Sequence, residues 1–445
     1  MSFPEKLYFT VGRLFPRLGY NKKNQVVRLI YEISLKEKID PINLAESFTD
    51  QKNFKGLKKN LIERRYPKVP YQEALSKAYL PVLSKTKNPA RLDGALFSPN
   101  KIYYEPGTEN SKVLKNTARE YPSAEFIQIN SLKEFTQEAS EEFFDYNSRR
   151  DRIFITKESH DFFKRCPCTS GCLNCNYYIL NAGFGCPYEC EYCFLQGYSN
   201  APGIILHSNT EDFLGKIPKG QLRAGTGEFM DSLILDNLTE DAGLISAFIK
   251  ENRRNMFFEF KTKSVNIEGL LENAPADNIV VAWSLNPEKI ISRHEHYTTS
   301  LSERLDAALE SVKSGLRVAF HFDPIILYEN WEEDYLEMAS LMLSRIPHDA
   351  IVWISVGSFR FQRKLKPVIE TRFPSSELLH GNLLLGFDGK LRYLQEERAA
   401  AYKKLCDYIK KEAPGISLYL CMEDPETWRA SGLESSFSWD YASLG

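Results

Sequence analysis

The chain has 445 residues, 43% hydrophobic and 26% charged, with a formal net charge of −2. At about 100–200 residues per domain that length allows two to four domains, and the near-neutral charge excludes a generic polyanion binder. No stretch approaches the ~18 consecutive apolar residues of a membrane span. The N-terminus MSFPEKLYFTVGRLFPRLGY lacks the apolar core of a secretion signal, so a cytoplasmic location with no membrane partner is expected.

Residues 1–90 read as a helical N-terminal extension. Apolar residues recur at helical spacing in Gln25–Leu35, Asn43–Phe48 and Tyr71–Leu83. The basic run Lys55–Arg65 is a solvated helix face or a nucleic-acid contact. Residues 91–165 read as a small α/β domain, with strands at Lys101–Glu105, Phe126–Ile129 and Arg152–Thr156 and a helix at Asn110–Glu120. Residues 166–380 then alternate regularly. Strands are expected at Tyr177–Asn181, Gln221–Ala224, Met256–Lys261, Ile279–Ser284, Arg317–His321 and Ile351–Val356. Helices fall between them, at Glu211–Leu214, Glu240–Asn252, Ile267–Glu272, Leu301–Ser314 and Trp331–Ser344. Such alternation argues for a parallel sheet of βαβ units. In residues 381–445, Asp388-Gly389 between two alternating apolar runs signals a hairpin. A helix over Ala399–Glu412 and a strand over Ile416–Cys421 follow, with Cys406 and Cys421 read as core.

Chemistry concentrates in cysteine. Cys186, Cys190 and Cys193 form C-x3-C-x2-C directly after the first strand of the alternating region. That spacing makes a tight loop with three sulfurs facing one centre, which suits three irons of a [4Fe–4S] cube and leaves the fourth open. Structural zinc wants four ligands, and a disulfide knot does not suit so long a chain with no secretion signal. A second group, Cys166, Cys168, Cys172 and Cys175, puts four thiols within ten residues. A second iron–sulfur cluster, a zinc ion or thiols without a metal all remain open for it.

The segment Cys186-Pro-Tyr-Glu-Cys190-Glu-Tyr192-Cys193 resembles the C-x3-C-x-aromatic-C hallmark of the radical S-adenosylmethionine (SAM) enzymes. The resemblance implies a partial (β/α)6 TIM-type barrel, with its chemistry at the C-terminal ends of the strands. It further implies that the open iron binds the methionine moiety of SAM. The reduced cluster, fed by an external flavodoxin- or ferredoxin-type electron donor, then cleaves SAM to a 5′-deoxyadenosyl radical. Gly225-Thr226-Gly227-Glu228 stands in the place of the family's Gly-Gly-Glu motif. Its glycines permit close backbone approach, and Glu228 is suited to the methionine ammonium. Lys263 at the third strand end would meet the carboxylate, Ser284 and Asn286 at the fourth the ribose or carboxylate, and Tyr192 the adenine. His321 and Asp323 share a strand face, as cavity lining or as a structural pair.

Over about residues 95–425 the chain also resembles spore photoproduct lyase, which reverses a thymine lesion of DNA. The likeness is carried by Cys193-Phe-Leu-Gln196 with a following asparagine, by Asp231–Asp236, Thr262-Lys263, Ser284-Leu-Asn286 and Asp323-Pro-Ile325, and by Arg360-Phe361 and Val368–Pro374. It implies a carbon–carbon lyase of DNA repair acting on thymine-dimer-type lesions. Arg360, Lys390, Arg392 and Tyr393 would then meet phosphate or stack on a base; a plain surface hairpin is the other reading. Two positions depart from the family. Its hydrogen-donating cysteine corresponds to Gly225 and its relay tyrosine to Phe194, and neither residue donates a hydrogen atom. The same radical chemistry on another base or a peptide, or a non-catalytic iron–sulfur DNA-binding or redox-sensing protein, are the alternatives.

Overall fold

The apolar alternation becomes one curled sheet. The computed structural model describes residues 3–51, 53–84, 88–160, 162–198, 201–253, 255–273 and 276–433. Asn200, the asparagine after the cluster loop, and residues 434–445 of the C-terminal segment lie outside these. The chain divides into two compact units, one of residues 1–90 with 359–397, the other of 91–358 with 398–445.

The larger unit opens with strands β1 (Lys101–Tyr104), β2 (Glu125–Gln128) and β3 (Arg152–Thr156). Next come β4 (Phe163–Arg165), β5 (Tyr177–Leu180), β6 (Gly183–Phe184), β7 (Glu189–Cys190) and β8 (Ile204–His207). The core strands are β9 (Leu222–Gly225), β10 (Met256–Thr262), β11 (Ile279–Ser284), β13 (Arg317–Ile325) and β14 (Ile351–Ser358), with a short β12 (Glu295–His296) between β11 and β13. The smaller unit contributes β15 (Arg360–Gln362), β16 (Leu384–Leu385) and β17 (Lys390–Arg392), and β18 (Ser417–Leu420) returns to the larger unit.

Eight strands join in the order β18-β14-β13-β11-β10-β9-β5-β4. From β5 to β18 all seven are parallel, and β4 alone runs antiparallel. Six parallel strands were expected; β18 adds a seventh because Ser417–Leu420 finds a free ladder on β14. All six residues of β11 are buried, as parallel strands covered on both faces require. The sheet curls strongly. The Arg223 guanidinium on β9 donates to the Tyr419 hydroxyl on β18 at 2.9 Å, although four strands separate β9 from β18. A second sheet, β2-β1-β3-β8-β6, is the small α/β layer.

In the smaller unit the helices Tyr20–Glu37 and Phe54–Arg65 bury Leu29, Ile30, Ile33, Leu57, Leu61 and Ile62 in one core that also takes in Leu384. The three short strands pair in the order β15-β17-β16. The hairpin expected at Asp388-Gly389 is present: the Gly386 N–H donates to the Lys390 carbonyl at 2.8 Å, and Gly389 takes φ +70°. Its strands belong with the N-terminal helices rather than with the C-terminal helix and strand.

Candidate active site

The loop bearing Cys186, Cys190 and Cys193 leaves the C-terminal end of β5. Gly185 turns the chain with φ +96°, a left-handed conformation suited to glycine. Within the loop β7 pairs antiparallel with β12, so Cys190 lies opposite Glu295. Because β12 follows the end of β11, the loop is tied over the C-terminal ends of the parallel strands. Gln196 clamps it from inside, its side-chain amide donating to the carbonyls of Cys190, Glu191 and Cys193 at 3.1, 3.0 and 3.3 Å.

The three thiols sit within each other's electrostatic reach. Burial pushes Cys186 up to about 12 and raises Cys190 and Cys193 as well. Opposing that, the backbone N–H groups of Tyr188 and Leu195 point at the sulfurs of Cys186 and Cys193, and Arg149 and Lys263 supply positive charge nearby. Three sulfurs, one buried and two part-buried, with amide donors and cations beside them fit an anionic iron–sulfur cube, whose ligands must be thiolates. Among the described residues no three His, Cys, Asp or Glu side chains converge on a single ion.

A buried polar layer supports the loop. Arg149 donates to Glu189 at 2.7 Å and to the Tyr188 carbonyl at 2.7 Å. Glu191 bridges His294 at 2.8 Å and His296 at 3.1 Å. Glu295 receives Arg304 at 2.7 Å, Asn286 at 2.8 Å and the Tyr192 hydroxyl. None of Glu189, Glu191, His294, Glu295 or Arg304 was singled out from the sequence. The available signal was the pair of polar runs Glu189-Cys190-Glu191 and His294-Glu295-His296, which also fit solvated loops.

The expected SAM residues divide into two groups. Gly225 to Glu228 do cap the second parallel strand, and a Cβ on Gly227 would meet the Lys261 side chain at 2.7 Å. Thr226 donates to Ser232 at 2.8 Å, and Glu228 forms an ion pair with Lys164 at 3.3 Å, so an ammonium arriving there shares the carboxylate with Lys164. Lys263 stays part-exposed with its ammonium 5.8 Å from the Tyr192 ring centroid, its backbone N–H donating to Asp231 at 2.7 Å. Two others are corrected, and the third keeps only its ring for a ligand. Asn286 is fully buried and committed to Glu295 and the Tyr335 hydroxyl, which it accepts at 2.7 Å. Ser284 is buried, its carbonyl taken by Arg304 at 2.9 Å. Tyr192 spends its hydroxyl on Glu295 and offers only a ring face.

The hairpin residues are corrected in the same way. Arg392 is buried and paired with Asp388 at 2.6 Å, and Tyr393 is buried, so neither faces a phosphate or base. Lys366 and Arg372 are buried too, Lys366 against Glu32 at 2.6 Å. Lys390 and Arg360 are part-exposed, and Phe387 at the hairpin tip is 55% exposed. His321 points into the barrel, bonding Glu259 on β10 and Ser355 on β14 at 2.7 Å. It is a structural group rather than a lining residue of the mouth.

The family model for spore photoproduct lyase matches residues 97–410, well over half of the chain. The chain belongs to the spore photoproduct lyase family, a branch of the radical SAM enzymes. Two members of the family show the distance. The spore photoproduct lyase of Clostridium acetobutylicum is 27% identical over 208 residues, 45% of this chain and 62% of that protein. That of Bacillus subtilis is 26% identical over 259 residues, 54% of this chain and 75% of that protein. The chain thus spans less than two-thirds of the length of the first. A solved spore photoproduct lyase complexed with dinucleoside spore photoproduct superposes with a TM-score of 0.61 at 21% identity, over 73% of this chain and 100% of that one. A substituted form with bound AdoMet and the same dinucleoside gives a TM-score of 0.60 at 21% identity, over 73% of this chain and 100% of that one. At that identity the family likeness is one of fold, and residues 1–96 precede the matched region.

Proposed function

We propose that this chain is a radical SAM enzyme of the lyase type that acts on a thymine-derived DNA lesion. The reading rests on one arrangement above all: three cysteines in one loop over the strand ends, Cys190 buried and Cys186 and Cys193 part-buried, with amide donors on two sulfurs and cations beside them. Cys186, Cys190 and Cys193 would hold a [4Fe–4S] cluster. Gly225–Glu228 and Lys263 would receive the methionine end of SAM, and the part-exposed ring of Tyr192 would lie beside the adenosyl group. When bound, cluster and SAM supply a 5′-deoxyadenosyl radical that takes a hydrogen atom from substrate. Arg149 and Lys263 offset the negative charge of the thiolates, and Gln196 keeps the loop closed. The reducing electron comes from an external donor.

The second reading, the same chemistry on a different base or a peptide, is favoured by one observation. A Cβ at Gly225 would run into the Tyr177 hydroxyl and the Glu259 carbonyl, well inside van der Waals contact. The family's thiol therefore has no room at this position, and the 45% exposed Phe194 has no hydroxyl to relay a hydrogen atom. The test is anaerobic incubation of reconstituted protein with SAM, dithionite and dinucleoside spore photoproduct, followed by mass spectrometry. Recovery of two thymidines supports the lesion reading; 5′-deoxyadenosine with the lesion untouched supports the second. Cys190→Ala removes both products, and retained 5′-deoxyadenosine in that variant overturns both readings.

A further inference from the structure

Five of the nine cysteines meet away from the loop described above. Four lie in the turn between β4 and β5, at the opposite end of β5 from Cys186. The turn is closed by the Cys166 N–H donating to the Tyr177 carbonyl at 2.9 Å, and tightened by Cys168 N–H to the Cys166 carbonyl at 2.7 Å and Cys172 N–H to the Thr169 carbonyl at 3.1 Å. The fifth arrives from a distant part of the chain. The Leu173 N–H donates to the Glu423 carbonyl at 3.0 Å, which holds the turn against the end of β18. There the Cys421 N–H donates to the Val356 carbonyl at 2.8 Å. Within this group Cys168 is the hub: its thiol is hydrogen-bonded with that of Cys172, and its other sulfur neighbours are Cys421 and Cys166. Cys175 lies beside Cys166, Arg223 and Tyr419. None of the five is in a disulfide, and all are partly exposed.

We propose that Cys166, Cys168, Cys172 and Cys421 hold a second iron–sulfur cluster, with Cys175 outside the ligand set. A zinc ion would draw four sulfurs around a single centre. An iron–sulfur cluster spreads its thiolates over several irons and accepts four cysteines. Ligation displaces the four thiol protons. With every iron capped by protein this cluster has no open position for SAM, which distinguishes it from a cluster on Cys186, Cys190 and Cys193.

The test uses the full chain, reconstituted anaerobically with ferrous iron and sulfide. The triple variant C186A/C190A/C193A is expected to keep iron, acid-labile sulfide and a reduced-state electron paramagnetic resonance signal. In the otherwise unaltered chain Cys421→Ser lowers iron per chain by about a third for a two-iron cluster or about a half for a four-iron one, whereas Cys175→Ser leaves it unchanged. The second comparison stands even if the triple variant fails to fold. Iron content unmoved by Cys421→Ser, loss of iron in Cys175→Ser, or stoichiometric zinc in protein purified without reconstitution would each overturn the assignment.

Discussion

Arg304 and Glu295 form an ion pair of 2.7 Å with neither side chain exposed, and the aromatic of the cluster motif is oriented through it. Glu295 also accepts from Tyr192 and Asn286. Burial by itself would raise the Glu295 carboxyl, but Arg304 and Lys263 outweigh it and hold the group at about 2. Removing one partner of a buried pair leaves an uncompensated charge and costs about 3–5 kcal/mol. Glu295→Ala is therefore expected to destabilise the larger unit by that amount in urea unfolding; a loss below about 1 kcal/mol, the scale of an exposed pair, would show that the charge is solvated.

The smaller unit carries an equivalent centre. Glu32 is buried beneath Lys366 at 2.6 Å, Arg65 at 2.9 Å and Arg28 at 3.5 Å. These cations overcome its burial and lower its carboxyl to about 2. Glu32→Ala leaves Lys366 and Arg65 without this carboxylate while Arg28 keeps Glu370 at 2.8 Å, and limited proteolysis should then cut within residues 3–84 at denaturant concentrations the unaltered chain resists, with a stability loss of about 3–5 kcal/mol.

Acid should weaken the barrel in two steps. Burial and Lys261 push His321 from 6.5 down to about 4, so the unfolded chain takes up a proton below pH 6.5 that the folded chain refuses. Stability therefore falls as pH drops from 6.5 to 4, by up to about 1.4 kcal/mol per pH unit. Glu259 is buried, yet Arg223 and His321 bring it from 4.5 to about 2, so its contribution is complete above pH 4.5 and is lost as pH falls toward 2. His321→Gln should flatten the upper step and shrink the lower one, because Glu259 loses one of the partners that lower it, read from urea midpoints at successive pH values.

Gly225 has no room for a side chain. Gly225→Ala forces its Cβ against the Glu259 carbonyl and the Tyr177 hydroxyl, and overpacking of this kind costs about 1–3 kcal/mol. Tyr177→Phe removes the hydroxyl and should recover part of the loss, leaving the carbonyl clash. Full tolerance of Gly225→Cys, measured by thermal unfolding, would mean that the strand shifts to admit the thiol.

On the lesion-lyase reading, Phe387 rather than Tyr393 stacks on a base, because it is the exposed aromatic at the hairpin tip. Phe387→Ala should weaken binding of a lesion-bearing oligonucleotide by about 1–3 kcal/mol in fluorescence anisotropy. Lys390→Ala should instead reduce the salt dependence by about one phosphate contact. Equal affinity for Phe387→Ala and the unaltered chain would remove the hairpin tip from the DNA interface.

Much of the fold was legible locally. Six of the parallel strands came from apolar runs such as Ile279–Ser284, where burial on both faces leaves an uninterrupted hydrophobic signature. The hairpin came from Asp388-Gly389, where a positive φ needs glycine. The cysteine triplet and the glycine-rich turn at 225–228 were readable because their spacing is itself the geometry of a short loop.

What stayed hidden depends on residues far apart in sequence. Arg392 and Tyr393 read as exposed cation and aromatic, but their burial follows from packing in the smaller unit and from Asp388, which no periodicity reports. Asn286 was assigned to ligand because nothing local in the sequence marks Glu295 as its partner; β7 pairing with β12 makes Glu295 a buried anchor. Cys421 read as a core thiol, and the Leu173–Glu423 hydrogen bond brings the end of β18 to four cysteines some 250 residues earlier. Sequence alone determined the strand pattern, the cysteine motif and the glycines, because short-range spacing and backbone conformation act through neighbours. Tertiary structure decided which charges are buried and whom they pair with, because desolvation and ion pairing depend on where the chain returns in space.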